Sequence, residues 1–270
     1  MSLLHRCYKT AFRAANRVGL HVVKNHFYSP TPDLDSIPAS YWNEKSALVG
    51  VKIDVSGQLE MLRRISAFRT EYSTLPLTNS FGRVDVEVLF SMVRMFNPSK
   101  VIEIGSGHST TIIRKAKRPD CELVCIEPYA RIPGDGFGLI RQPVQSVPLD
   151  LFADLGENDV LFIDSSHVLK EASDVLYEFG EILPRLRKGV LVHVHDVLLP
   201  YHYPKVWVAD DLRFWNEQYL LQAFLAFNSA FDILWAGSWM ATYHPDELRA
   251  AISSFTPETR PGSFWMRKIE

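Results

Sequence analysis

The chain reads as an α/β protein built on a doubly wound, mostly parallel sheet, and three observations predict this. Continuous apolar runs such as Val160-Leu-Phe-Ile163 and Val190-Leu-Val192 alternate with helical stretches, the pattern of strands covered on both faces. The segment Lys100–Thr110 reads K-V-I-E-I-G-S-G-H-S-T, a strand breaking into two glycines one apart and then into a helix. Finally, 270 residues are ample for one sizeable core.

The elements follow in chain order. The N-terminus carries Arg6, Lys9, Arg13, Arg17 and Lys24 with no acid before Asp33, interleaved with Leu3, Leu4, Phe12, Val18 and Leu20. It lacks the uninterrupted apolar stretch and small-residue cleavage site of a signal peptide. The expectation is an amphipathic helix packing its apolar stripe on the same domain. A weak peripheral contact with an anionic membrane surface is the alternative. The Pro-rich stretch Tyr28–Pro38 is an extended crossing, followed by helices over Gly57–Tyr72 and Val84–Phe96, with a turn at Leu77–Gly82 between them.

Alternation begins there. Strands are expected to Glu103, to Glu127, near Leu139–Arg141, over Val160–Asp164 and over Val190–Val194. Helices are expected over Ser109–Lys117 and Lys170–Leu183. Leu198–Trp215 is a long aromatic connection leading to a helix over Trp215–Asn228. A strand from Phe231, a helix from Pro245 and a strand from Ser263 close the chain. The division is residues 1–80 as a helical and extended cap segment, then 81–270 as the core, with an insertion at about 197–228. Long loops at the carboxyl ends of such strands are usually functional.

Composition narrows the partners. With 29 Lys and Arg against 31 Asp and Glu, the net charge of −2 gives no bulk electrostatic argument for nucleic acid. No apolar run is long enough to cross a bilayer. Cys7, Cys121 and Cys125 form neither a metal spacing nor a disulfide framework, which favours a reducing, cytoplasmic setting.

The glycine turn is the outline of a nucleoside-type cofactor site. Its glycines allow a sharp turn and close approach to a ligand, and Glu103 places a carboxylate at the strand end. A dinucleotide fold asks for a third glycine where this chain has Thr110, which counts against an NAD-dependent oxidoreductase. Glu127 ends the next strand about twenty residues on, where a carboxylate accepts hydrogen bonds from ribose hydroxyls.

The remaining chemistry gathers at two strand ends, Asp164-Ser-Ser-His167 and His193-Val-His195-Asp196. Neighbouring strands would bring Asp164, His167, His195 and Asp196 to one rim. Period-two alternation puts His193 and His195 on one side, His193 deeper as a core residue. His167 could take the proton from a substrate hydroxyl, and one of the serines could cap the following helix. Asp164, His195 and Asp196 offer mixed oxygen and nitrogen ligands for magnesium, manganese or iron.

The pattern Glu103-x-Gly105-Ser106-Gly107-x-Ser109, with Phe162-Ile-Asp-Ser-Ser-His167 and His193-Val-His-Asp196, resembles the class I S-adenosylmethionine-dependent methyltransferases. Within them it is similar to the family of small-molecule and sugar O-methyltransferases with an Asp-x-x-His turn. The resemblance implies a seven-stranded Rossmann-like sheet ending in an antiparallel pair. It implies cofactor contacts at Glu103, Gly105, Ser106, Gly107, Ser109 and Glu127, with Asp164 at the site floor. It also implies His167 as base with Asp164, and a divalent metal at Asp164 and the His195-Asp196 pair. Metal-dependent relatives carry acid–acid or acid–amide at that last pair, so His195 departs from the pattern. The expected activity is O-methylation of a small hydroxylated acceptor such as a sugar, glycan precursor or secondary metabolite. The rival readings are the oxidoreductase and a non-catalytic cofactor-binding protein attached to a membrane surface.

Overall fold

The computed structural model describes residues 3–23, 25–75, 81–130, 134 and 136–270. Residues 77–80 of the expected turn lie outside them. The sheet has seven strands: β1 Lys100–Ile104, β2 Glu122–Ile126, β3 Gly138–Ile140, β4 Val160–Ile163, β5 Leu191–Val194, β6 Phe231–Ala236 and β7 Phe264–Lys268. Their order is β3-β2-β1-β4-β5-β7-β6. All pairings are parallel except those of β7, which runs antiparallel to both β5 and β6.

Period-two alternation divides the sheet into two buried layers. Val101, Val160, Phe162 and Trp265 face one layer, with the helices Val55–Ser66, Arg83–Phe96 and His108–Ala116. Ile102, Leu161, Ile163 and Val192 face the other, with the helix Glu217–Leu225. Covering both faces explains the near-continuous apolar strands.

Strand order reverses between β1 and β4. Ile104 and Ile163 are partners there, so the residues that follow them, Gly105 and Asp164, leave the sheet side by side. The Asp164 N–H donates to the Ile104 carbonyl at 2.9 Å, and the Gly105 N–H to the Ile126 carbonyl at 3.0 Å. This topological switch point is where ligands of open α/β sheets bind.

Two expectations need correction. The helix expected over Lys170–Leu183 starts later, at Asp174, and widens into a π-turn over Glu178–Ile182. Pro184 follows at once; it has no N–H for the Gly180 carbonyl, which suits the break in the α-helical ladder. The first helix, Leu3–Arg17, does not pack as expected: no described residue from Cys7 to Pro30 is buried. From Cys7 to Arg17 its apolar side has three alanines and a cysteine beside only two rings, Tyr8 and Phe12, and offers little area to hold it on the core. Among the described residues no helix is long and apolar enough to cross a membrane.

Candidate active site

The site begins at the turn after β1. Gly105 has φ of +92°, and a Cβ there would collide with the backbone carbonyl of Asp164. Its glycine serves the backbone. Gly107 differs: its φ of 175° suits any residue, yet a Cβ there would meet nothing within 4 Å. The space above it is open. Thr110, at the third-glycine place, accepts the Gly107 N–H through its hydroxyl at 3.0 Å and so closes the start of the helix.

Two adjoining clefts lie over this turn, of about 360 and 230 Å³, sharing Gly105, Glu127 and Asp164. Glu127 ends β2 and fixes Oε1 with the Tyr129 N–H at 2.7 Å. Ser106 borders the smaller cleft, and its buried Oγ has no hydrogen-bond partner among the described residues. Such an orphan hydroxyl in a cleft wall fits a missing polar ligand.

Glu103 stands elsewhere. It is fully buried, accepting the Ser109 hydroxyl at 2.5 Å and the Cys125 thiol at 3.1 Å. Glu103 is thus held inside the turn by Ser109, which itself borders the smaller cleft, while Glu103 lines neither cleft. Alternation along β1 turns Glu103 toward the helix that carries Ser109. Burial pushes its carboxyl up to about 7, against the hydrogen bonds from Ser109, Thr110 and Cys125.

At the ends of β4 and β5, Asp164, His167 and Asp196 converge, with ligand atoms all within 4.8 Å of one another. His167 Nε2 lies 3.3 Å from Asp164 Oδ1 and 3.7 Å from Asp196 Oδ2. Its other nitrogen, Nδ1, lies 2.7 Å from Oε2 of Glu217, a side chain only 1% exposed. His167 and Asp196 both hold left-handed backbone, at φ of +60° and +54°. Strain of this kind persists where surroundings over-determine it. Here the N–H groups of Asn216 and Glu217 bind the His167 carbonyl at 3.0 and 3.2 Å, locking the loop to the next helix.

The electrostatics follow from this cage. Burial alone would favour a neutral ring, but hydrogen bonds to Asp164 and Glu217 outweigh it and push His167 up to about 10. The flanking carboxylates thus favour the protonated ring. Asp164 is partly buried, which works to raise it, yet the charge of His195 and the bond from His167 hold it below the usual carboxylate range.

The histidine of the three-residue cluster is thus His167, where the sequence pointed to His195. His193 and His195 do share a side, with ring centroids 5.6 Å apart. That side is the packed layer, where His195 stacks on Phe81 at 4.4 Å with its Nε2 3.8 Å from Asp196 Oδ1. His193 is fully buried between Phe162 and Trp265, as expected of a core residue. Neither Ser165 nor Ser166 caps the following helix. Ser173 does, accepting the Leu176 N–H, while Ser166 binds Asp174.

Beyond His167 lies an aromatic cavity of about 210 Å³, walled by Tyr41, Trp42, Tyr203, Phe214, Trp215 and Tyr219. The Trp215 ring packs on His167 at 4.4 Å. The strand-like pairing of Lys45 with Tyr201, and the Ser46 N–H on the Pro200 carbonyl at 2.8 Å, fasten the N-terminal wall to the connection after β5.

A family model described as a methyltransferase domain matches residues 102–197, the stretch from β1 through β5 that carries the glycine turn, Asp164, His167 and Asp196. Over that stretch the chain is similar to a methyltransferase domain. Its seven-stranded, mostly parallel sheet with a terminal antiparallel pair is the one the class I resemblance implies. An uncharacterized protein of Archaeoglobus fulgidus is 28% identical over 174 residues, 52% of this chain and 76% of that protein. Among solved structures, the SAH-bound Podospora anserina methyltransferase PaMTH1 is 16% identical, covering 93% of this chain and 100% of its own, with a TM-score of 0.44. The O-methyltransferase from Bacillus cereus in complex with SAH is 14% identical, covering 81% and 92%, with a TM-score of 0.43.

Proposed function

We propose that this chain moves the methyl group of S-adenosylmethionine to an oxygen of a small hydroxylated acceptor. One observation carries the reading. Asp164 borders both clefts of the glycine turn and also meets the His167 imidazole, so the cofactor's place and the acceptor's place share a side chain.

The cofactor, when bound, supplies an electrophilic methyl on a sulfonium, and the protein's task is alignment. Glu127 would accept hydrogen bonds from ribose hydroxyls, the bare backbone of Gly107 would leave room, and Ser106 Oγ would gain its missing partner. Gly105 holds the turn against Asp164. Glu103 and Ser109 support that turn from within.

On the acceptor side, Asp164, His167 and Asp196 would hold a divalent cation, which would acidify a hydroxyl. Two carboxylates and one imidazole suit manganese or iron better than magnesium. Glu217 would keep the Nδ1 proton of His167, leaving Nε2 toward the two carboxylates. Residues 197–228 act as the acceptor cap, and the aromatic walls of the cavity beyond Trp215 suit the flat face of a sugar or aromatic ring. The free cysteines, two of them buried, support a cytoplasmic setting.

The test is transfer of isotope-labelled methyl from S-adenosylmethionine to panels of hydroxylated and amine acceptors. The expected result is labelled methyl ether product, reduced about a hundredfold or more in Asp164→Asn at unchanged melting temperature. Label on nitrogen alone would overturn the acceptor class. Failure to bind cofactor would overturn the reading entirely.

A further inference from the structure

Leu3–Arg17 is a long helix in which no described side chain, Cys7 to Arg17, is buried. At roughly 3.6 residues per turn its residues sort cleanly into halves. Cys7, Tyr8, Ala11, Phe12, Ala14 and Ala15 fall on one half; Lys9, Thr10, Arg13, Asn16 and Arg17 fall on the other. The apolar character continues past the helix end, where Val18 is 72%, Phe27 80% and Tyr28 81% exposed. Scattered apolar residues on a surface need no explanation, but a run of them beside one basic helix does.

Charge selects the partner. The first 32 residues hold five basic side chains and no acid, although the whole chain is net negative. The apolar half has only two large rings, Tyr8 and Phe12, too shallow a face to hold a second copy of the helix in water. A surface offering both negative charge and an apolar boundary complements it better. We propose that residues 7–17, with the exposed Val18, Phe27 and Tyr28, form a docking surface for an anionic lipid bilayer. The helix lies in the plane of the interface, with its alanine and aromatic half at the acyl boundary and its arginines among the headgroups. Phe27 and Tyr28 take the interfacial place that aromatic rings favour. The proposal is independent of the methyl-transfer reading, because no residue of it borders the clefts.

The experiment is co-sedimentation of the full chain with vesicles of phosphatidylcholine alone, or of phosphatidylcholine with phosphatidylglycerol. Expected is binding to the anionic vesicles that is roughly tenfold or more weaker to the neutral ones and falls as salt is raised. R13E/R17E and F12E should each weaken anionic binding about tenfold, with an unchanged melting temperature, since all three positions lie outside the core. No sedimentation with anionic vesicles would overturn the proposal. So would equal binding to both vesicle types. Concentration-dependent dimerisation abolished by F12E would make this face a contact between copies instead.

Discussion

Glu217 grips His167 from behind: its Oε2 stands 2.7 Å from Nδ1, while Asp164 and Asp196 face Nε2 on the other side of the ring. The imidazole is thereby fixed in orientation and in the site of its first proton. Replacing this carboxylate by an amide keeps size and some hydrogen bonding but removes the charge. Glu217→Gln should lower methyl transfer by about tenfold to a hundredfold, or weaken divalent-ion affinity by a similar factor. Steady-state kinetics with an ion titration would check it. Wild-type values for both would make Glu217 a packing residue only.

The two glycines of the turn should respond differently. Gly107→Val should leave the melting temperature close to wild type and weaken binding of S-adenosylhomocysteine, because its side chain enters open cleft. Gly105→Ala should destabilise the fold by about 1–3 kcal/mol, because φ of +92° and the Asp164 carbonyl both oppose a Cβ. Calorimetry and thermal denaturation of the two variants separate these effects. Glu127→Ala serves as the companion probe, with an expected loss of about tenfold to a hundredfold in cofactor affinity.

Buried Glu103 sets a pH dependence. Burial raises its carboxyl from 4.5 to about 7 in the folded chain. A carboxyl raised on folding contributes stability that is complete below its unfolded value and is lost as pH climbs through the folded one. Asp85, raised to about 6 chiefly by burial, acts in the same direction. Stability should therefore fall between about pH 4 and pH 7. Glu103→Gln should flatten that fall and make the protein more stable at pH 8, by an amount on the order of 2 kcal/mol. Melting temperatures across this range decide; an unchanged slope would mean that Glu103 does not titrate there.

The cluster of Asp164, His167 and Asp196 predicts shared failure. If it holds a cation, a chelator should abolish methyl transfer and manganese should restore it. Asp164→Asn and Asp196→Asn should each lose ion affinity by about tenfold or more. Activity that survives exhaustive chelation would leave the cluster as a charge cage around an imidazolium, with no metal role.

Much of this was legible in the chain, and the misses have physical reasons. Apolar runs and the glycine turn located every strand within a residue or two, because a strand covered on both faces must be apolar throughout. The turn after β4 announced Asp164 and His167. Glu103 misled, since strand-end position does not say which face a side chain takes; Ser109, six residues on, was the signal that it would be covered. His195 misled for the opposite reason. Alternation correctly paired it with His193, but that pairing assigned it to the packed layer, while the left-handed turn at Asp196 sends the next carboxylate back toward His167. Glu217 was invisible. Fifty residues from its partner, it reads as an ordinary acid in the first turn of a helix, and only the cap's return over β4 gives it a role.

The aromatic cavity draws its walls from two distant parts of the chain, Tyr41 and Trp42 before the sheet and Tyr203 to Tyr219 after β5, fastened at Lys45 and Tyr201. Apart from Trp215 and Asn216, which also touch the His167 loop, these walls share nothing with the glycine turn. On the proposed reading, selectivity and methyl supply are therefore in separate hands. A lineage could exchange the wall around Tyr41 and Trp42 for another without disturbing the turn at Gly105, so that new acceptors become reachable through changes outside residues 102–197, the very stretch by which its kinship is recognised.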